Sequence, residues 1–406
     1  MTDGDGRANP GETDVIDPLI LARGLHLSAT TLAAGTIAFA TLVADGGEHL
    51  RRQFAVLTWA ALAAAVGTGA AWLLLLAADV SDEPGAAWTL LSETRFGWVA
   101  CARFGMATAL AVLILSPRAR WLTLALAAAF IAAPALIGHA GAAPDSVLPL
   151  MSDIVHLLAA GAWLGGLPAL VLLLGSAAAD KASAVRRFGG LALASVLALA
   201  ISGLTNARTF LASPGDLIAT DYGRVLSAKL ALFAALLGFA AVNRFRLTPR
   251  AGEPASQRAL HHNCLAEAAL GFVVLMLVGW LGTLPPPAHR HAPSEIPPDA
   301  AFVHIHDGTA MADLTITPGR VGPAKATIRL SRENGDEFPA NGVRLALDPP
   351  ANTARPIDQP AQRQPDGSWI VQRLEIGQSG NWMVRVLVTP ATGPLLVLDA
   401  PVVIER

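Results

Sequence analysis

The stretch that decides the fold is Val147–Gly175, with the sequence VLPLMSDIVHLLAAGAWLGGLPALVLLLG. It is almost wholly apolar, contains one acidic residue, Asp153, and has no lysine or arginine. A helix that crosses a bilayer needs ~20 predominantly apolar residues, so this run is long enough to span a membrane. The chain contains about eight such runs, near residues 19–44, 54–79, 94–115, 120–140, 147–175, 187–212, 223–246 and 262–284.

The composition of the whole chain is typical of a membrane protein. Of its 406 residues, 53% are hydrophobic and only 15% are charged, and the mean hydropathy is +0.48. These values are too apolar for an ordinary soluble domain. The formal net charge of -2 provides no basic field for nucleic acid, which argues against that class of partner. The two cysteines, Cys101 and Cys264, indicate no disulfide framework.

Basic residues cluster after every second apolar run, which predicts the orientation in the membrane. Such residues gather on cytoplasmic loops, so both termini are expected outside. The acidic first eighteen residues lack the basic start of a cleavable signal peptide, so we expect the first run to be retained. The basic loop residues are Arg51, Arg52, Arg118, Arg120, Lys181, Arg186, Arg187, Arg244, Arg246, Arg250 and Arg258.

After the proline run at 285–287 the sequence changes to short β-rich stretches separated by turn signals such as Asn334-Gly335 and Asp366-Gly367. The predicted fold class is therefore an all-α polytopic membrane bundle of about eight helices, followed by a small extracytoplasmic all-β, immunoglobulin-like sandwich. We expect a polar outward-facing N-terminus at 1–18, a transmembrane domain at 19–287, a Pro- and His-containing linker at 288–299 and the β-sandwich at 300–406.

Three histidines, His26, His139 and His156, lie in or beside apolar runs at similar depth in the outer leaflet. An ionisable residue inside a membrane is costly and by default suggests a function. Asp153 precedes His156 by three residues and shares its helix face, so it is predicted to orient the imidazole. Met151 offers a thioether about one turn away. Imidazole and thioether ligands favour a copper-like ion.

These histidines have an alternative interpretation, in which they only hydrogen-bond to neighbouring helices. Gly161, Gly165 and Gly166 are better explained by close helix packing than by chemistry. Several other polar groups are candidates for an ion pathway or for the surroundings of the site, and each has an alternative as a structural contact. They are Asp153, Trp163, Asn206, Lys229, Glu267, His261, His262 and Cys264, with Arg103 as a further residue for an outer cavity.

The predicted β region has its own histidine pair, His304 and His306. Alternate residues of a strand share a face, so both imidazoles are expected to point the same way and to chelate one ion, although exposed pairs often bind nothing. The chain has no nucleophile motif and no phosphate-binding glycine loop. We therefore expect a protein that is not an enzyme.

Several segments of the chain resemble the bacterial copper resistance protein D family of inner-membrane proteins. They are ARGLH at 22–26, GHA at 138–140, DIVHLLAAGAWLGGL at 153–167, TDYGRVLSAKL at 220–230, NR at 243–244, Glu267 and PP at 285–286. The part from about 300 onward is similar to YtkA-like β-sandwich domains. The resemblance covers about 19–287, and the order of its segments makes it specific.

The resemblance implies that the chain handles copper at the bacterial inner membrane, with its N-terminus and C-terminal domain in the periplasm. It implies uptake from periplasm to cytoplasm, a copper ion as the bound species, membrane lipid around the helices, and a periplasmic chaperone of the copper resistance C type as a partner. The histidines His26, His139 and His156, with Met151, would then form the uptake site.

Two other functions stay open from the sequence. Histidines on facing helices are able to ligate haem, which would make the chain an electron-transfer protein. Alternatively, the helices form a non-transporting anchor that presents the β domain to a periplasmic copper chaperone.

Overall fold

The computed structural model describes residues 17–44, 47–80, 86–137, 147–177, 180–211, 213–284, 297, 299–307, 310–332, 337–349, 356–392 and 395–405. The chain divides into two compact units, of which the first is helical and the second contains the strands. Residues 138–146, which include His139, and residues 285–296, with the linker histidines, lie outside the described part.

The helical unit contains eleven α-helices in its described residues, and short 3-10 or π turns extend some of them. They are α1 Pro18–Leu42, α2 Glu48–Val80, α3 Ala86–Glu93, α4 Arg95–Leu113, α5 Arg120–Ala132, α6 Val147–Trp163, α7 Leu167–Gly175, α8 Lys181–Phe210, α9 Asp216–Ala219, α10 Asp221–Val242 and α11 Pro254–Leu281.

Eight helical segments among the described residues are long and apolar enough to cross a membrane. Their bounds are Pro18–Leu42, Glu48–Ala78, Arg95–Leu113, Pro117–Leu136, Val147–Gly175, Lys181–Ala207, Asp221–Arg250 and Pro254–Leu281. The predicted bundle of about eight spanning helices is thus confirmed.

Side-chain caps fix several helix starts. Asp17 accepts a hydrogen bond from the amide of Leu19 and is followed by Pro18, a residue suited to the first helical turn. Thr94 caps α4 and Thr220 caps α10 in the same way. These polar groups satisfy amides that have no partner within the helix.

The fifth span is interrupted between α6 and α7, where Gly165 and Gly166 precede Pro168. Proline lacks an amide hydrogen and breaks the regular hydrogen-bond series. A Cβ on Gly165 would lie 2.0 Å from the carbonyl oxygen of Thr31, and one on Gly35 would lie 2.2 Å from the backbone of Gly165. Glycine is therefore needed for α1 to approach this break, which supports the packing interpretation of these glycines.

The second unit consists of antiparallel strands in the order β1-β2-β3-β6-β5-β4-β7-β8. Their bounds are β1 Ala301–Asp307, β2 Ala310–Thr317, β3 Gly322–Ser331, β4 Ala340–Asp348, β5 Ile357–Arg363, β6 Trp369–Ile376, β7 Gly380–Pro390 and β8 Leu396–Ile404. Alternating buried residues such as Leu314, Ile316, Val384 and Val386 form its core around Trp382. The predicted all-β domain after the helices is confirmed.

Candidate metal site

His26 lies on α1 with both ring nitrogens hydrogen-bonded, and only 6% of the residue is exposed. Its Nδ1 is 2.9 Å from the carbonyl oxygen of Ala65 on α2, and its Nε2 is 2.8 Å from Nη1 of Arg103 on α4. A carbonyl can only accept, so Nδ1 carries the hydrogen and the Nε2 lone pair accepts from the guanidinium.

Arg103 is also buried, with 5% of its surface exposed. Its Nη2 donates to the hydroxyl oxygen of Thr30 at 3.0 Å, and its guanidinium lies over the ring of Phe130, 5.0 Å from the centroid. The cation occupies the nitrogen that His26 would offer to a metal. A copper ion could bind His26 only after Arg103 moved away.

His156 on α6 has a different environment. Its Nδ1 is 2.9 Å from Oγ of Ser202 on α8, and that hydroxyl lies 2.6 Å from the carbonyl oxygen of Ala198. Because the hydroxyl donates its one hydrogen to the carbonyl, Ser202 accepts from the imidazole. The neutral ring then has its Nε2 lone pair available, and Nε2 has no hydrogen-bond partner among the described residues.

Polar side chains continue from His156 toward the start of α6. Asn206 on α8 donates to Asp153 at 2.6 Å, and Ser152 donates to the side-chain oxygen of Asn206 at 2.9 Å. Lys229 on α10 lies within electrostatic range of both Asp153 and His156. We call Ser152, Asp153, His156, Ser202, Asn206 and Lys229 the α6–α8–α10 cluster.

The partner of the His156 ring differs from the sequence-based prediction. Asp153 was expected to orient this imidazole, but the hydrogen bond goes to Ser202, while Asp153 accepts from Asn206 instead. Two residues that face one side of a helix need not touch when a neighbouring helix offers each a better partner. Met151 lies on the same helix and is 46% exposed.

The sequence predicted His26, His139 and His156 as a metal entry site and left open whether they converge on one ion, and the structure gives His26 and His156 separate sets of contacts. His26 bonds to α2 and α4, whereas His156 bonds to α8. Within the described residues, no three His, Cys, Asp or Glu side chains come close enough to hold one metal ion. His139 lies outside those residues.

A second polar group lies at the opposite end of the bundle, around the start of α11. Asn243 donates to the carboxylate of Glu267, and its Nδ2 is 3.9 Å from the sulfur of Cys264. Glu267 and Cys264 are each 2% exposed. They line a cavity of about 330 Å³, the Glu267 chamber, which Trp163 also lines and whose walls are otherwise mostly apolar.

His261 and His262 lie near this chamber but do not line it. The Nδ1 of His262 bonds to the carbonyl oxygen of Arg258 one turn earlier at 2.8 Å, and the residue is exposed. The thiol and carboxylate predicted for a pathway are therefore brought together, while His262 makes a local helix contact.

In the β unit, His304 on β1 is paired with Asp313 on β2. The two residues are direct partners in the strand register, and the imidazole Nδ1 is hydrogen-bonded to the buried carboxylate. His306 is placed opposite Met311 by the same register. A carboxylate on one imidazole nitrogen fixes the tautomer and the orientation of the ring.

Sequence reasoning missed Ser202, Asp313 and the contact between Arg103 and His26. One weak signal for Ser202 was present in the sequence. It is a polar residue in a long apolar run, and Asn206 lies four residues later on the same helix face. For Asp313 the alternation of the strand was the available signal, because it stands within a run of otherwise small and apolar residues.

Two family models match the chain. The one described as "Copper resistance protein D-like, N-terminal domain" matches residues 13–148, and the one described as "Copper resistance protein D" matches residues 182–281. Together they cover more than half of the chain. His26 and Arg103 fall in the first matched region, and Glu267 falls in the second, whereas His156 lies between the two.

Curated relatives carry related names. "Copper transport protein CutJ" of Bacillus subtilis (strain 168) is 27% identical over 413 residues, which covers 94% of this chain and 72% of the relative. "Copper resistance protein D" of Pseudomonas syringae pv. tomato is 33% identical over 151 residues, covering 33% of this chain and 48% of that protein. "Inner membrane protein YebZ" of Escherichia coli (strain K12) is 29% identical over 210 residues, which covers 49% of this chain and 72% of that protein.

Proposed function

This chain belongs to the copper resistance protein D family, and from that premise we propose that it moves copper ions across the bacterial inner membrane, from the periplasm to the cytoplasm. A relative named as a copper transport protein aligns with 94% of the chain, which supports copper as the cargo. The eight apolar helices make it a multi-pass membrane protein. The proposed orientation, with both termini in the periplasm, rests on the basic loops.

The observation that carries the proposal is the state of His156. Ser202 holds one nitrogen of this ring in place, and the other nitrogen keeps its lone pair. Imidazole nitrogen is a good copper ligand, and a hydrogen bond on the second nitrogen is the usual way in which proteins fix a metal-binding histidine. We assign His156 as the main ligand of the uptake site, with Met151 and His139 as co-ligands.

The path inward from this site runs through residues of the helical unit. Asn206 donates to Asp153, and Lys229 lies within electrostatic range of His156. Trp163 leads along α6 to the Glu267 chamber with Cys264. A thiol and a carboxylate there offer ligands before release, near His261 and His262. In this proposal His26 binds copper only when Arg103 has released its nitrogen.

Transport itself provides the test. Purified protein is reconstituted into vesicles, and copper uptake is measured for the natural sequence, for His156→Ala and for His49→Ala. His49 is a matched control, since it is an exposed histidine near the start of α2. The proposal expects uptake that His156→Ala reduces at least about tenfold, as loss of a metal ligand would, while His49→Ala leaves it unchanged. No uptake above empty vesicles would contradict it.

The β unit supports a second part of the proposal, in which it receives copper from a periplasmic chaperone of the copper resistance C type. His304 held by Asp313 is the supporting observation, because this is the carboxylate–imidazole arrangement found behind metal ligands. Binding of copper-loaded chaperone to the full chain, compared with the variant His304→Ala, tests this step. Equal binding and equal copper transfer by both proteins would contradict it.

A further inference from the structure

We propose that the outer half of the helical unit contains a binding site for one small monovalent anion, such as chloride, at the side chain of Arg103. Arg103 lies in a membrane-spanning helix and is 5% exposed. His156, the main copper ligand of the proposed function, does not line this site, and the inference does not depend on copper transport.

Arg103 carries a positive charge that its hydrogen-bond partners do not neutralise. An arginine stays protonated in proteins, and a cation within a membrane is costly unless something compensates it. The hydrogen-bond partners of this guanidinium are two uncharged groups, the imidazole of His26 and the hydroxyl of Thr30. Among the described residues no carboxylate pairs with it. Within the described part of the chain, no negative group therefore compensates its charge.

A second feature of Arg103 is an unused donor. The Nε of Arg103 is buried and has no hydrogen-bond partner within the described part of the chain. A buried donor without a partner is rare and calls for an explanation. The ring of Phe130 lies over the guanidinium, but a cation–π contact replaces only part of the lost hydration and uses no N–H group.

A third feature is the space beside this group. A cavity of about 30 Å³ is lined by Arg103 and His26 together with the aromatic residues Trp72, Phe96 and Phe104. This is room for one species of about the size of a water molecule or a chloride ion. No acidic residue is among the described residues that line this cavity, so an anion would meet the guanidinium of Arg103 without an opposing negative charge.

Glycine keeps the cavity open next to His26. A Cβ on Gly69 would lie 2.9 Å from Cε1 of this imidazole, so a larger residue would force the ring to move. An anion held here would also weaken the repulsion between Arg103 and a copper ion that approaches His26. Water is the competing occupant, and it would leave the positive charge uncompensated.

The anion dependence of thermal stability tests the proposal on the full chain in detergent. The midpoint of unfolding is measured while sodium chloride replaces sodium gluconate at constant ionic strength. Binding to the folded state alone raises the midpoint with ligand concentration, so we expect a saturable rise of several degrees in chloride. Arg103→Met removes the rise. Arg120→Met is the matched control and keeps it, because Arg120 is exposed and stacks on Trp121, which does not line the cavity.

A second variant keeps the test decisive if Arg103→Met fails to fold. Ala100 lines the cavity, so Ala100→Leu fills the space and leaves the charge of Arg103 in place. This variant is also expected to lose the chloride-dependent rise. Equal midpoints in the two salts for the natural sequence would overturn the proposal and assign the cavity to water. A chloride effect that survives in both Arg103→Met and Ala100→Leu would overturn it as well.

Discussion

His26 and His156 are the same residue type near the starts of two spanning helices, yet their rings are engaged differently. His26 donates to Ala65 with one nitrogen and accepts from the Arg103 guanidinium with the other. His156 donates to Ser202 through Nδ1. Its Nε2 has no hydrogen-bond partner among the described residues, so the lone pair of that nitrogen is available. The first arrangement uses both ring nitrogens in hydrogen bonds, while the second leaves the Nε2 of His156 available for the copper ligand role that we propose.

The difference shows that an intramembrane histidine acquires its role from the helices that pack against it. Arg103 adds a positive charge at the one nitrogen where His26 could bind a cation. Ser202 instead occupies the nitrogen that a metal does not need. The two histidines are thus distinguished by α4 and α8, not by their own helices.

Replacing each histidine gives the largest expected contrast. His156→Ala is expected to lower the copper affinity of the purified protein about 100-fold, because a ligand is worth at least as much as the groups that orient it. His26→Ala is expected to change the affinity less than about threefold, since that ring is already fully hydrogen-bonded. Competition with a coloured copper chelator measures both values.

The control for this contrast is His49→Ala, which should match the natural sequence. Thermal unfolding of each variant confirms that the helical unit is intact. A larger loss for His26→Ala than for His156→Ala would reverse the assignment of the two rings.

A change at Arg103 should make His26 behave like His156. In an Arg103→Met background the Nε2 lone pair is released and the positive charge is gone. There His26→Ala is expected to lower copper affinity about tenfold, compared with less than about threefold when Arg103 is present. The double-mutant cycle gives the coupling between the two residues. A coupling of zero would show that Arg103 does not control His26.

Loss of Ser202 should weaken the site at His156 without removing the ligand. Ser202→Ala takes away the acceptor that fixes the ring, so copper affinity is expected to fall about tenfold. Thr205→Ala on the same helix is a control, because that half-buried side chain donates its hydroxyl hydrogen to a backbone carbonyl of its own helix. Equal affinities for Ser202→Ala and the natural sequence would contradict the orienting role.

The β unit extends the comparison to a third imidazole, which has a carboxylate partner. Asp313→Asn is expected to lower copper binding at His304 by up to about tenfold, because an amide orients the ring but adds no charge. Copper titration in a His156→Ala background isolates this effect. Unchanged binding in that background would exclude Asp313 as the positioning group.

Much of the fold was accessible from the sequence, because apolar runs of spanning length and a switch to short alternating strands are local signals. The contacts of the candidate metal site were not accessible from the sequence. Ser202 follows His156 by 46 positions and Arg103 follows His26 by 77, and apolar periodicity does not specify which helices become neighbours. The expected contact between Asp153 and His156 relied on helix geometry alone, and α8 supplied better partners to both.

X-ray absorption at the copper edge reports which side chains surround the bound ion, and it therefore distinguishes His156 from His26 as the ligand. We expect imidazole scattering from copper bound to the full chain, retained in His26→Ala and lost or reduced in His156→Ala. Imidazole scattering that persists in His156→Ala and disappears in His26→Ala would contradict it.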